Sequence, residues 1–187
     1  MALPNFATKT GDAGETALWS GERVRKSDPR IAANAEIDFA LSALGRGYGC
    51  LREHPDEEIR ALEPRLLELQ RRFVALMGEV ATSATTARAF HERRAAITDA
   101  DLAAVDSLYA ELHAMAERRR LAIAKWQLYG ERGSAAAEFY FIRAAFRRAE
   151  LAAWQAVDAG HAIRPLVLQI LNRCGDLFFA LALCLED

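Results

Sequence analysis

Apolar residues recur at steps of three and four along most of this chain, the spacing that gathers side chains on one face of an α-helix. Asp28-Pro29-Arg30 reads as an N-cap with proline at the first helical position, and Ile37, Leu41, Leu44, Tyr48 and Leu51 carry that first helix to His54-Pro55. Asp56 opens a second helix, in which Ile59, Leu62, Leu66, Leu69, Phe73, Leu76 and Val80 trace the narrow seam of a bundle. Thr98 with Asp101 three residues on predicts a capping-box start for a third, carried by Leu102, Val105, Tyr109 and Leu112 and fraying into Glu117-Arg118-Arg119-Arg120. Ser134 is placed to cap a fourth through Phe139, Ile142 and Phe146. Pro165 begins a fifth with Leu166, Ile170, Leu171, Cys174, Leu177, Phe178 and Leu181. Strand signals are almost absent. The pattern predicts an all-α fold, a five-helix antiparallel bundle over 29–187 preceded by a non-helical segment 1–28, the whole forming one domain.

Composition supports a folded core, because 52% of the 187 residues are hydrophobic. A formal net charge of −2 argues against a sequence-independent grip on nucleic acid and favours a small ligand or a protein partner. Cys50, Cys174 and Cys184 have neither zinc-site spacing nor an even count, so they read as core residues of a reducing compartment. Residues 1–6 lack a basic leader, and no uninterrupted apolar run approaches ~18 residues. The expectation is a cytoplasmic protein without membrane association.

Candidate chemistry concentrates in three places. The stretch Thr8-Lys9-Thr10-Gly11-Asp12-Ala13-Gly14-Glu15-Thr16 combines hydroxyls, an ammonium and two glycines, a composition suited to turning backbone N–H groups toward phosphate. It is not the familiar phosphate-loop pattern. On the fourth helix, Arg143, Arg147, Glu150 and Trp154 share one stripe, distinct from the apolar stripe of Phe139, Ile142, Phe146 and Ala149. Arginine forks match phosphate oxygens, although a solvated face with an Arg–Glu pair has the same spacing. On the fifth helix, Asn172 and Asp176 stand one turn apart in an apolar run, where burial would demand partners. Asp38 belongs to the row Ala35, Asp38, Ser42, Gly45 and Gly49, whose small residues predict close approach of another helix or subunit, with Arg143 a plausible partner. The connections 82–97 and 125–133 are long and polar enough to border a ligand. His54, His91, His113 and His161 have no metal-ligand spacing, and no residue is assigned as a metal ligand.

Three ordered blocks then carry a resemblance. The leader with Gly21-Glu22-Arg23-Val24, Lys26-Ser27-Asp28-Pro29-Arg30 and Ile37-Asp38, the segment Arg143 to Glu150, and Leu171-Asn172-Arg173-Cys174-Gly175-Asp176 are similar to the signatures of the PduO-type ATP:corrinoid adenosyltransferases. The resemblance implies a homotrimeric five-helix bundle with sites between subunits. It implies transfer of the 5′-deoxyadenosyl group of ATP to the cobalt of a reduced corrinoid such as cob(I)alamin, with release of triphosphate and a need for Mg2+. Thr8, Lys9, Thr10, Gly11 and Gly14 would wrap the triphosphate, with Lys26 and Arg30 near it. Asp38 would pair with Arg143 across the subunit interface, while Arg147, Glu150 and Asn172 would contact ATP. Phe39-Ala40 stands where the family has Glu-Leu, Leu151 where it has arginine, and Cys174-Gly175 where it has Leu-Ser. Trp126 and Tyr129 are the candidates for an aromatic ring against the lower corrin face. A non-catalytic nucleotide- or corrinoid-binding relative and a purely structural helical oligomer are the competing readings.

Overall fold

The computed structural model describes residues 7, 9–82, 86–93, 96–121 and 128–186, apart from the side chain of Arg88. A two-stranded antiparallel hairpin, β1 (Glu15–Ala17) and β2 (Arg23–Arg25), precedes the helices and pairs Glu15 with Arg25 and Ala17 with Arg23. Five long helices follow: α1 (Pro29–Arg52), α3 (Glu63–Val80), α5 (Asp99–Arg118), α6 (Ser134–Asp158) and α7 (Pro165–Cys184). Two short ones, α2 (Glu57–Arg60) and α4 (Ala87–Arg93), sit in the connections.

The bundle is a closed ring in which α1 packs on α3, α3 on α5, α5 on α7, α7 on α6 and α6 on α1. Four of these contacts are antiparallel, as expected. The fifth cannot be, since an odd number of rods in a ring cannot alternate throughout. The parallel seam falls between α5 and α7, where Asp106 faces Arg173 and Leu112 accepts from the Cys184 thiol. α7 lies between α5 and α6, and residues on both sides of the α5–α6 connection meet its end. Arg119 and Arg132 grip that end through the Cys184 carbonyl and the Glu186 carboxylate.

The anticipated core is the observed core. Ile37, Leu44, Leu51, Phe73, Leu76, Phe139, Ile142, Phe146, Leu177 and Leu181 are fully enclosed. Gly47 is required where α1 crosses α6, because a Cβ there would come within 2.6 Å of Ile142 and 3.0 Å of Phe139. α7 is 20 residues long with a mean hydropathy of 1.5, sufficient on length and composition to span a bilayer, but 67% of that window is buried within the bundle.

Several boundaries depart from the sequence expectation. The seam expected from Asp56 to Val80 is cut between Arg60 and Glu63, because Pro64 enters where a new helix can start but an old one cannot continue. Its apolar positions are buried all the same. Gly133, in the left-handed region at φ 98°, caps α6 in place of Ser134, which becomes the first helical residue. Tyr109 is partly exposed and Leu108, one position earlier, takes the buried place on α5. The connection over 82–97 contains α4, whose Phe90 packs so tightly that a Cβ on Gly78 would lie 2.7 Å from its ring.

Candidate functional site

The leader folds into tight turns before entering the hairpin. Lys9 occupies the left-handed region at φ 57° and Gly14 does so at φ 83°. Asp12 and Gly14 donate backbone N–H groups to the carbonyls of Lys9 and Gly11 at 3.4 and 3.1 Å, and Lys26 donates to Gly14 at 2.9 Å. The Lys26 side chain lies across Gly11, where a Cβ would meet its Cε and Nζ at 3.1 Å. Thr10, Gly11, Gly14 and Lys26 are thus gathered into one exposed turn, with Lys9 at its entry. Arg23 reaches from β2 to the Thr10 carbonyl at 2.9 Å and so ties the turn to the hairpin. This role was missed in the sequence; the three-residue strand pairing that aims Arg23 is too short to leave a period-two signal. Thr8 and Trp126 lie outside the described residues.

Arg30 lies in the first turn of α1. It is buried and forms a two-pronged ion pair with Asp28 at 2.7 and 3.0 Å, while the Asp28 carboxylate also caps α1 by accepting from the Arg30 backbone N–H. The side-chain bond from Arg30 holds the Asp28 carboxyl below the usual carboxylate range. His161 approaches the same carboxylate at 3.8 Å, which links the start of α1 to the turn after α6.

The second group of residues lies on the outer face of α6 and α7. Arg147 is exposed, and its stem rests over Gly175, whose missing side chain gives it room: a Cβ there would lie 3.5 Å from Arg147 Cγ. Across the helix pair the Asn172 amide donates to the Glu150 carboxylate at 3.1 Å. Asn172 and Asp176 both face solvent, which corrects the expectation that they sit inside an apolar run. The run is amphipathic, with Leu171, Cys174, Gly175, Leu177 and Phe178 turned inward. Two open hollows adjoin this face. One of about 330 Å3 is lined by Glu150, Trp154, Pro165, Leu168, Gln169 and Asn172, and one of about 360 Å3 by Arg147, Arg148, Glu150, Leu151 and Trp154.

Asp38 and Arg143 do not meet within one chain. Asp38 is exposed on α1, and the Arg143 guanidinium lies 5.2 Å from the centre of the Phe179 ring. All of Ala35, Asp38, Ser42, Gly45 and Gly49 face outward, so the small-residue row is a smooth external stripe rather than an internal crossing. Beside it Phe39 and Phe141 meet edge to face at 5.8 Å. Arg148 covers Phe39 and pairs with Glu36, while Arg46 covers Phe141 and pairs with Glu138, a reciprocal clasp between α1 and α6. Tyr129 stacks on Tyr140 at 4.7 Å, and Tyr140 donates to Glu186 at 2.7 Å, which docks the segment before α6 on the end of α7.

The leader turn carries Lys9 and Lys26, and α6 and α7 share an Arg–Glu–Asn face, both suited to an anionic ligand. The family model for cobalamin adenosyltransferase matches residues 6–185. A cobalamin adenosyltransferase of Cupriavidus metallidurans is 34% identical over 96% of this chain and 87% of its own length. The corrinoid adenosyltransferase PduO of Citrobacter freundii is 30% identical over 94% of this chain, which spans 48% of that longer protein. A variant of the PduO-type ATP:corrinoid adenosyltransferase of Lactobacillus reuteri, solved with cobalamin and ATP, superposes with a TM-score of 0.76 at 26% identity, covering 95% of this chain and 91% of that one. With the family model matching almost its full length and a relative 34% identical over 96% of it, the chain belongs to the cobalamin adenosyltransferase family.

Proposed function

We propose that this protein transfers the 5′-deoxyadenosyl group of ATP to the cobalt of a reduced corrinoid, and that it does so as a homotrimer with sites between subunits. The observation that supports the reading is a pair of polar groups carried on different elements, a lysine-bearing turn and an Arg–Glu–Asn face. In a single chain Arg147, Glu150 and Asn172 sit on α6 and α7, while the turn built from Lys9, Thr10, Gly11, Gly14 and Lys26 is anchored on the hairpin. A second copy brings one group against the other. The stripe Ala35, Asp38, Ser42, Gly45 and Gly49 offers the smooth surface for that approach, with Asp38 free to meet a neighbour's Arg143.

The chemistry asks little covalent work of the protein. The reduced cobalt supplies both electrons of the new cobalt–carbon bond as the C5′–oxygen bond breaks and triphosphate leaves with that pair. What the chain supplies is alignment of C5′ and stabilisation of the departing charge, from Lys9, Lys26 and Arg147. Mg2+ fits as an ion carried on the triphosphate, since it keeps most of its shell for phosphate oxygens and water and takes one or two carboxylates at most. Asp12, exposed in the turn, would be the carboxylate to share it. Of the two candidate rings Trp126 and Tyr129, Tyr129 is the described one and is exposed in the segment before α6. A cytoplasmic setting suits the free cysteines Cys50, Cys174 and Cys184.

The test is incubation with ATP, Mg2+ and chemically reduced cobalamin while the corrin spectrum is followed. Conversion to the alkylcobalt spectrum with release of triphosphate is the expected result. Binding of ATP without any change in the corrin would make the protein a carrier instead, and absence of ATP binding would leave a structural oligomer.

A further inference from the structure

We propose that the cavity bounded by the hairpin turn, α3 and α4 is a second small-molecule site of this protein, shaped for a flat aromatic ligand of at least two rings carrying one anionic group, and that its occupancy steadies the leader. The site stands on its own geometry; its effect on the leader rests on the phosphate reading of that segment.

The cavity, about 530 Å3, falls within the ~300–1,000 Å3 range of small-molecule sites, and its lining comes from the hairpin, α1, α3 and α4. One face of α3 is the floor, where Val74, Met77 and Ala81 run beside Arg71, Ala75 and Gly78 at helical spacing. Val74 is 60% exposed, so this floor is apolar surface left in water. Toward the carboxyl end of α3, Trp19 and Phe90 meet at 87° with ring centres 5.1 Å apart and form an aromatic corner. The corner is held by its surroundings. Gly78 leaves room for the Phe90 ring, which a Cβ would approach to 2.7 Å, and the Trp19 backbone N–H donates to the Ala81 carbonyl at 3.2 Å. A flat ring entering the corner lies along one of its walls and meets the other edge-on, both favoured aromatic geometries.

The charge lies at the other end of the floor. Arg72 is given to the Asp101 carboxylate and the Ala96 carbonyl. Arg71 pairs with Glu68 at 3.0 Å, with both side chains 64% exposed, a contact that a ligand anion displaces at little cost. From Gly78 back to Arg71 is about 10 Å along the helix axis. One ring in the corner falls short of that guanidinium; two fused or linked rings with a terminal anion reach it.

The hairpin carries the effect outward. Trp19 belongs to the turn between β1 and β2, and Arg23, the first residue of β2, holds the Thr10 carbonyl. A ligand bridging Trp19 and α3 restrains the hairpin and orders the leader turn before a phosphate arrives. Linkage makes the effect reciprocal.

The test titrates the intact protein with 8-anilinonaphthalene-1-sulfonate and with its uncharged counterpart N-phenyl-1-naphthylamine, followed by fluorescence. The sulfonate should bind at one site per chain and more tightly than the neutral compound. Trp19→Ala should weaken both by about tenfold, and Trp19→Phe should recover most of the loss. Arg71→Ala, at an exposed position that leaves the fold intact, should weaken the sulfonate by about tenfold and spare the neutral compound. Val74→Glu, also exposed, should weaken the sulfonate more than the neutral compound. Sulfonate binding indifferent to Arg71→Ala and Val74→Glu, or equal loss of both compounds in Arg71→Ala, would overturn the site. With the sulfonate bound, inorganic triphosphate should bind about fivefold more tightly, and Arg23→Leu should abolish that gain. Triphosphate affinity unchanged or lowered by the sulfonate would overturn the action on the leader. A protein that binds the sulfonate through Trp19 and Arg71 but binds no triphosphate would sink the phosphate reading of the leader and leave the cavity site standing.

Discussion

Asn172 and Glu150 join across α6 and α7 at 3.1 Å, the one polar link between the two helices that bear the conspicuous signatures of the chain. Both groups reach solvent, so the link adds little to the fold and fixes the direction of the two side chains toward a ligand. Asn172→Ala should therefore leave the unfolding midpoint within experimental scatter. It should reduce kcat/KM for ATP by about 10- to 100-fold, the cost of one hydrogen bond to a charged group. Steady-state kinetics beside a thermal melt separates the two effects.

Arg23 holds the Thr10 carbonyl from the second strand at 2.9 Å. Arg23→Leu removes that tether without disturbing any buried group. The turn then becomes mobile and must be ordered when ATP binds. The affinity for ATP should fall by about tenfold, with backbone exchange accelerating at residues 9–14 and unchanged in the bundle.

Asp101 is the buried acid that caps α5, accepting from Thr98 and from Arg72 at 2.8 Å. The Arg72 guanidinium is the main reason its carboxyl titrates below the ordinary carboxylate range. A depressed folded-state pKa stabilises the fold above the unfolded value of ~4 and loses that effect as pH falls through the folded value. Asp101→Asn should cost about 2 kcal/mol at pH 7. The gap between variant and wild type should close on acidification below pH ~4, as measured by chemical denaturation at a series of pH values.

Gly47 and Gly49 should respond in opposite ways to added bulk. Gly47→Val drives methyl groups into Ile142 and Phe139 and should lower the melting midpoint by about 2–10 °C. Gly49 has open space where its side chain would stand, so Gly49→Leu should keep the helical content of each chain. On the outward stripe that leucine would obstruct the subunit contact proposed above. Sedimentation should then show the proposed trimer giving way to monomer.

The helices were legible because their apolar spacing is long and regular: the seven positions from Ile59 to Val80 are buried even though Pro64 splits the helix beneath them. Helix ends were less so, since Ser134 and Gly133 both satisfy a cap and only the backbone decides between them. The hairpin escaped notice because Glu15–Ala17 and Arg23–Arg25 are three residues each, too short to show alternation. Arg147 was legible as part of a polar stripe on α6, whereas Asn172 was expected inside an apolar run and Lys26 came only with the family resemblance. The clasp of Glu79 with Arg164 and the Ile97 backbone was not legible, because its members come from three distant segments. Neither was the reciprocal pairing of Arg46 and Arg148 with acids across α1 and α6.

The parallel seam has an electrostatic result. Each helix carries roughly half a positive charge at its amino end and half a negative charge at its carboxyl end, and side-by-side helices of like direction add these where opposed ones offset them. α5 and α7 therefore give the bundle a polarity along its axis. On α5 the chain answers it within the helix itself: Asp99 and Asp101 stand in its first turn and Arg118 in its last.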